Sequence, residues 1–311
     1  MSGRAVLVVK LGALGDFVQA TGPFAAIRRH HAGDRVTLLT TRPFTAFAEA
    51  SPWFDAVWTD DRPRLWQMGG WLALRRRLRG GGFAMVYDLQ TSDRSAWYFR
   101  LMGRPPWSGI AAGCSHPHTN PRRDAMHTLD RQAEQLRMAG IAATPAPDLS
   151  WVRADTGRFA LPQRYALLVA GGAPHRPAKR WPADRFAELA ARLAGAGIAP
   201  ILLGTAAEAT ELARIAAACP AARSLAGRTE LADLVVLARR AVAAIGNDTG
   251  PMHVAAAAGC PSLVLFSGES DPTLCAPRGR VAVLRRDRLS DLDVGAAAAA
   301  LARLTGDPAL T

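Results

Sequence analysis

The stretch Ile245-Gly-Asn-Asp-Thr-Gly-Pro-Met-His-Val-Ala-Ala-Ala-Ala-Gly-Cys-Pro261 admits few folds. Val242, Ala244 and Ile245 end a buried strand, and Gly246, Asn247 and Asp248 break it. Pro251 suits the first turn of a short helix lined with alanine. A turn and a further strand follow. Strand, tight loop, helix, strand is the repeating unit of a parallel sheet with helices on its faces. The helix mouth at Thr249 and Gly250 offers backbone N–H groups and the positive end of the helix dipole, which together suit an anion. Asp248 and His253 add an acceptor and a titratable group beside it, so a nucleotide diphosphate is the natural guest.

A second stretch, Val6-Leu-Val-Val-Lys-Leu-Gly-Ala-Leu-Gly-Asp-Phe-Val-Gln-Ala-Thr21, again reads as strand, glycine loop and helix. Asp16 stands where the helix begins, where the dipole favours a carboxylate. One such loop in each half predicts two nucleotide-fold halves. The pattern between them agrees. Ala5–Val9, Arg35–Thr40, Ala56–Thr59, Phe83–Leu89 and Ser108–Ile110 read as strands. Phe17–His31, Pro43–Ala50, Leu65–Leu78, Ser92–Met102 and Met126–Ala139 read as helices. Residues 113–125, rich in Pro, His, Arg and Gly, read as a mobile loop, and residues 142–162, with three prolines, as the linker. The theme then repeats through strands Tyr165–Ala170, Ile198–Leu203 and Ser262–Phe266. The expected domains are 1–160, which binds the acceptor, and 161–311, which binds the donor. A last helix near 291–304 could pack back across the junction.

Four motifs in order resemble one known family. Lys10-Leu-Gly-Ala-Leu-Gly-Asp16 is similar to the opening motif of the heptosyltransferases, glycosyltransferase family nine. Ala178-Lys-Arg-Trp-Pro-Ala-Asp-Arg-Phe186 resembles their Lys-x-Trp-Pro segment, and Asp248-Thr-Gly-Pro-Met-His-Val-Ala-Ala-Ala-Ala258 their donor signature. Ser270-Asp-Pro272 with Ala276-Pro277 matches the downstream landmarks. The resemblance implies an α/β protein of the GT-B fold, with two Rossmann-like domains facing across a central cleft. It further implies an inverting, metal-independent transferase that moves a heptose from an ADP-sugar to a lipopolysaccharide-core or related glycolipid acceptor. No cofactor is expected.

The same resemblance names candidate residues. Asp16 would be the catalytic base, and its plain alternative is a helix cap. Gly12 and Gly15 would let backbone approach the acceptor, or would simply make a tight turn. Lys179 would meet the donor phosphates and the charge of the leaving diphosphate; otherwise it is a solvated loop lysine. Thr249 and Gly250 would give N–H groups to phosphate, Asp248 would bind sugar hydroxyls, and His253 would face the diphosphate or the sugar unless it is structural. Glu208 could accept ribose hydroxyls, and Thr229 with Leu231 could border the base. In the loop Gly171-Gly-Ala-Pro-His-Arg176, relatives often place hydroxyl residues where this chain has Pro174 and His175, and Arg176 is the substitute. Arg122 and Arg123 could meet acceptor phosphates or carboxylates. Trp66, Trp71 and Trp97 occupy helical positions, for which core packing is the default.

Other classes fit less well. The formal charge is +12, nearly all of it arginine, yet the arginines are spread along the chain and no nucleic-acid motif is present. An anionic partner, whether nucleotide sugar, phosphorylated glycolipid or the inner leaflet, explains the balance equally. The only two lysines, Lys10 and Lys179, both fall in the motifs. The four cysteines show no metal or redox spacing. His116, His118 and His127 lack the nearby carboxylates a metal would want. No apolar run reaches the roughly 18–20 residues of a membrane span, and no signal peptide is evident. The reading is therefore cytoplasmic, with peripheral placement at the inner membrane face. The rivals are a GT-B transferase or epimerase acting on another nucleotide sugar and a non-catalytic nucleotide-sugar-binding paralogue.

Overall fold

In the computed structural model, which describes residues 3–64, 66–172 and 175–310, the chain divides into Met1–Trp151 and Val152–Thr311. The first unit runs β1 (Ala5–Val9), α1 (Leu14–Gln19), α2 (Thr21–His30), β2 (Arg35–Thr40), α3 (Arg42–Glu49), β3 (Ala56–Thr59) and α4 (Met68–Gly80). It continues through β4 (Met85–Asp88), α5 (Asp93–Leu101), β5 (Trp107–Gly109), β6 (His116–Pro117) and α6 (Thr128–Met138). The second runs β7 (Tyr165–Val169), α7 (Ala183–Gly195), β8 (Ala199–Leu202), α8 (Ala209–Ala218), β9 (Arg223–Ser224) and α9 (Leu231–Arg240). Then come β10 (Ala243–Asn247), α10 (Gly250–Ala257), β11 (Ser262–Phe266), α11 (Pro272–Cys275), β12 (Val281–Arg285) and α12 (Val294–Thr305).

Each unit holds one six-stranded parallel sheet. The orders are β3-β2-β1-β4-β5-β6 and β12-β11-β10-β7-β8-β9. Counted within its own unit, each is the doubly wound order 3-2-1-4-5-6. In such sheets the crevice beyond the carboxyl ends of the first and fourth strands receives ligands, because the chain there turns away in opposite directions. The two glycine motifs leave β1 and β10, which flank those points.

The central strands are apolar on both faces, as parallel strands covered by helices must be. Tyr165–Val169 and Ser262–Phe266 are buried throughout. In the second unit α7, α8 and α12 cover one face through Leu189, Leu193, Leu212, Ile215 and Leu301. On the other face α9 and α10 pack through Leu237, Met252 and Ala255. The last helix thus finds its apolar partners within its own unit, on α7, β11 and β12.

Three local readings are corrected. The helix expected over 17–31 is two helices that meet at Ala20. Pro23 has no N–H to continue the ladder, so the chain restarts at Thr21. Residues 113–125 are not a free loop. They contain β6 and are pinned to α6, since His118 Nε2 lies 2.9 Å from Glu134 Oε2 and Asn120 Nδ2 donates to the same oxygen at 2.8 Å. Trp66 and Trp97 are not core residues but exposed. The reason is that α4 starts only at Met68 and buries only Leu74 and Leu78, while α5 buries Ser95, Tyr98 and Phe99. Leu65, the expected start of α4, lies outside the described residues.

Candidate functional site

In the second unit the chain leaves β10 through Asn247, which is fully buried. Its Nδ2 donates to the carbonyls of Ala170 (2.7 Å) and Gly171 (3.0 Å), and its Oδ1 accepts from Trp181 N–H at 2.9 Å. One amide therefore ties the loop after β7 and the Lys-x-Trp-Pro segment to the end of β10. Trp181 is itself fixed, with Nε1 donating to Leu292 O at 2.9 Å. Gly246 makes the close approach possible, since a Cβ there would stand 2.6 Å from Val169 Cβ.

This scaffold sets Lys179 against Asp248. Nζ donates to Oδ2 at 2.8 Å, and Ser270 Oγ donates to the same oxygen at 2.8 Å. The side chains of Lys179 and Asp248 are 14% and 9% exposed, so the pair is shielded yet reachable. Thr249 follows as the extended N-cap of α10. Its hydroxyl donates to Asn247 O at 3.3 Å instead of capping the helix, and Pro251 in the first turn has no N–H. The first turn of α10 thus has no side-chain cap from Thr249. A cation and a helix N-terminus side by side suit a diphosphate. His253 lies one turn into α10 and is buried.

Glu208 is already committed. Its Oε1 accepts from Gly172 N–H (2.8 Å), and Oε2 accepts from Thr205 N–H (2.7 Å) and Thr205 Oγ (2.9 Å). It braces the 171–172 loop, and a Cβ at Gly171 would fall 1.8 Å from its oxygen. Arg180, which the sequence reading passed over, clasps the same loop. Its Nη2 donates to Gly172 O at 2.6 Å and its Nη1 to Glu211 at 3.0 Å. Arg176 is exposed at the start of the turn that carries Lys179. Thr229 is half-buried just ahead of α9, with Leu231 opening that helix. The Arg176 carbonyl accepts from Lys179 N–H at 3.1 Å, but among the described residues no hydrogen bond or ion pair joins the Arg176 or Thr229 side chain to the Lys179–Asp248 pair. Ala173 and Pro174 lie outside the described residues.

In the first unit the ends of β1 and β4 are clamped together. Lys10 Nζ donates to Leu89 O (3.1 Å), and Leu11 N–H donates to Gln90 Oε1 (2.9 Å). Asp88 Oδ1 organises that turn by accepting from Gln90 N–H (3.0 Å) and Thr91 N–H (2.9 Å). Burial pushes the Lys10 ammonium down, opposed by Asp16 and Asp88. Burial also pushes Asp88 up to about 6, against its backbone hydrogen bonds and Lys10. Asp16 and Gly15 stand in the first turn of α1, with Asp16 half-exposed. Gly12, at φ +125°, lines a pocket of about 490 Å³ with Leu11, Thr41, Phe44, Arg62 and Gln90. Of the loop arginines, Arg122 is exposed, whereas Arg123 turns inward and donates from Nε to His118 Nδ1 at 3.2 Å.

The residues missed from sequence had signals. Asn247 sits inside the quoted Gly-Asn-Asp, and Ser270 opens the quoted Ser-Asp-Pro. Gln90 and Asp88 had no motif, because their role depends on two strands distant in sequence.

Comparison with known proteins bears on the family and the fold. The model of glycosyltransferase family 9 (heptosyltransferase) matches residues 71–287. Lipopolysaccharide heptosyltransferase 1 of Pseudomonas aeruginosa is 28% identical over 305 residues, covering 88% of this chain and 81% of the relative. Lipopolysaccharide heptosyltransferase 2 of Salmonella typhimurium is 40% identical over 120 residues, 37% of this chain and 34% of the relative. Among solved structures, a family 9 glycosyltransferase of Veillonella parvula superposes with TM-score 0.85 at 19% identity, covering 99% of both chains. The E. coli ADP-heptose heptosyltransferase II gives 0.79 at 22%, over 97% of this chain and 98% of that one. An E. coli heptosyltransferase solved with ADP gives 0.78 at 19%, over 96% and 99%. These structural likenesses establish the GT-B plan of two Rossmann-like domains.

Proposed function

The chain belongs to glycosyltransferase family 9, and from that membership we propose that it moves a heptose or similar sugar from an ADP-sugar to a lipopolysaccharide-core or related glycolipid acceptor, with inversion at the anomeric carbon. The observation that carries this reading is the Lys179–Asp248–Ser270 cluster at the N-terminus of α10. The names of the relatives support the sugar and the acceptor class, and two solved relatives hold ADP or an ADP-2-deoxy-2-fluoro heptose.

In the proposed reaction the second unit holds the donor. Lys179 and the Gly250 amide meet the diphosphate, and Asp248 and His253 face the sugar. Arg176 lies at the phosphate side, and Thr229 borders the base. Glu208, with both oxygens engaged, supports the loop under the phosphates. The first unit holds the acceptor near Gly12, Gly15, Arg122 and Arg123. Asp16 takes the proton of the acceptor hydroxyl as its oxygen bonds to the anomeric carbon. The bond from that carbon to the β-phosphate oxygen breaks with its electron pair, and ADP leaves. The charge that develops is met by Lys179 and the helix end, groups already in place before the reaction.

Thermal melting tests the donor. ADP should stabilise the protein more than UDP or GDP does, adding roughly 2.7 kcal/mol over the ligand-free protein at a hundred times its dissociation constant. A preference for UDP would overturn the ADP assignment.

A further inference from the structure

The outer surface of α4 and α5 carries large apolar side chains open to solvent. Both helices pack on one face of the first sheet, through Leu74 and Leu78 of α4 and Tyr98 and Phe99 of α5. Their opposite faces therefore turn the same way, away from the sheet. On these helices, or in the turn just ahead of α4, Trp66, Met68, Leu72 and Trp97 are 72%, 67%, 55% and 56% exposed. Side chains this large and apolar, gathered on one face, mark an interaction surface.

The charge on the two helices is almost all positive. At 100° per residue, Arg75, Arg76 and Arg79 fall on the same arc of α4 as Met68 and Leu72, and all three are exposed. Arg100 lies over the Trp97 ring, 5.4 Å from its centroid. Arg79 links the helices by donating from Nε to Leu101 O at 2.9 Å. Across both helices Asp93 is the sole acidic residue.

We propose that this α4–α5 face docks on an anionic phospholipid surface, with the tryptophans, Met68 and Leu72 entering the interface and the arginines meeting lipid phosphates. Tryptophan suits the boundary between headgroup and acyl chain, and basic side chains beside it add attraction to an anionic leaflet. A second copy of the chain fits poorly, because a two-fold contact would set α4 arginines against α4 arginines with no carboxylates between. The patch begins at Trp66, four residues after the pocket residue Arg62. It would thus hold a glycolipid's membrane beside the pocket that receives its polar part. This purpose rests on the proposed acceptor, whereas the surface itself does not.

Co-sedimentation of the full chain with vesicles tests it. Wild type should bind phosphatidylcholine–phosphatidylglycerol vesicles, bind pure phosphatidylcholine far more weakly, and be released by high salt. Either Trp66→Ser with Trp97→Ser, or Arg75→Glu with Arg76→Glu, should weaken binding by about tenfold or more. Both variants should keep the wild-type melting temperature and wild-type transfer to a deacylated, soluble acceptor. Absence of vesicle binding, variants that bind like wild type, or a concentration-dependent dimer abolished by these substitutions would overturn the proposal. Vesicle binding without any transfer from an ADP-sugar would leave the surface standing and defeat the functional reading instead.

Discussion

At the residue scale the account rests on two charged side chains. If Asp16 is the base, Asp16→Asn keeps the size of the side chain but cannot take a proton. ADP affinity should be unchanged, and turnover should fall by roughly 10²–10⁴-fold. Turnover within about tenfold of wild type would assign Asp16 to helix capping. Lys179 differs because it touches both donor binding and the leaving group. Lys179→Ala also strands Asp248, whose Oδ2 would keep only the Ser270 hydroxyl. Titration calorimetry should show ADP affinity reduced by about tenfold or more, and turnover should fall with it. A loss of turnover at full ADP affinity would place Lys179 away from the phosphates. Both residues stand out as candidates in the sequence because each sits in a contiguous motif. Glu208 was legible as polar and near the loop, but not as a brace. That role needs Gly172 and Thr205 to converge on it, which no linear pattern displays.

At the scale of elements, the turn after β4 holds the loop after β1, and Asp88 organises that turn. Burial keeps its proton on up to about 6, against an ordinary 3.8. Between those values the folded chain binds a proton that the unfolded chain has released. This group's contribution is therefore most favourable below about pH 4 and is lost as pH rises through about 6, a swing of roughly 3 kcal/mol. Asp88→Asn can still accept from Gln90 and Thr91 but carries no charge to desolvate. Denaturant unfolding at pH 4 and pH 7 should show the variant gaining stability relative to wild type as pH rises. A difference that does not change with pH would contradict the assignment. The strands and most helices were readable from apolar runs and glycine breaks, because a parallel sheet buries its strands on both faces. The pinned 113–125 segment was not. Its order comes from Glu134, half a helix away, and from strand pairing of only two residues. The exposed tryptophans misled for a related reason, since helical spacing gives a face but not what covers it.

At the scale of the molecule, the composition and the fold point one way. The excess of arginine that suggests nucleic acid is partly gathered on α4, beside exposed tryptophan, while the lysines serve the two loops. Two doubly wound sheets each present one glycine motif at the point where ligands enter such sheets. The proposed division of labour between a donor unit and an acceptor unit rests on which motif each carries. In the proposed scheme the charge of the leaving diphosphate is met by protein groups, so chelation should leave activity intact. The most direct test is ADP release by the purified chain, given ADP-heptose and a heptose-deficient lipopolysaccharide-core acceptor in the presence of EDTA. The account predicts ADP release that requires both substrates and yields an acceptor heavier by one heptose. ADP release that ignores the acceptor, transfer only from a UDP-sugar, or activity abolished by EDTA and restored by Mg²⁺ would contradict it.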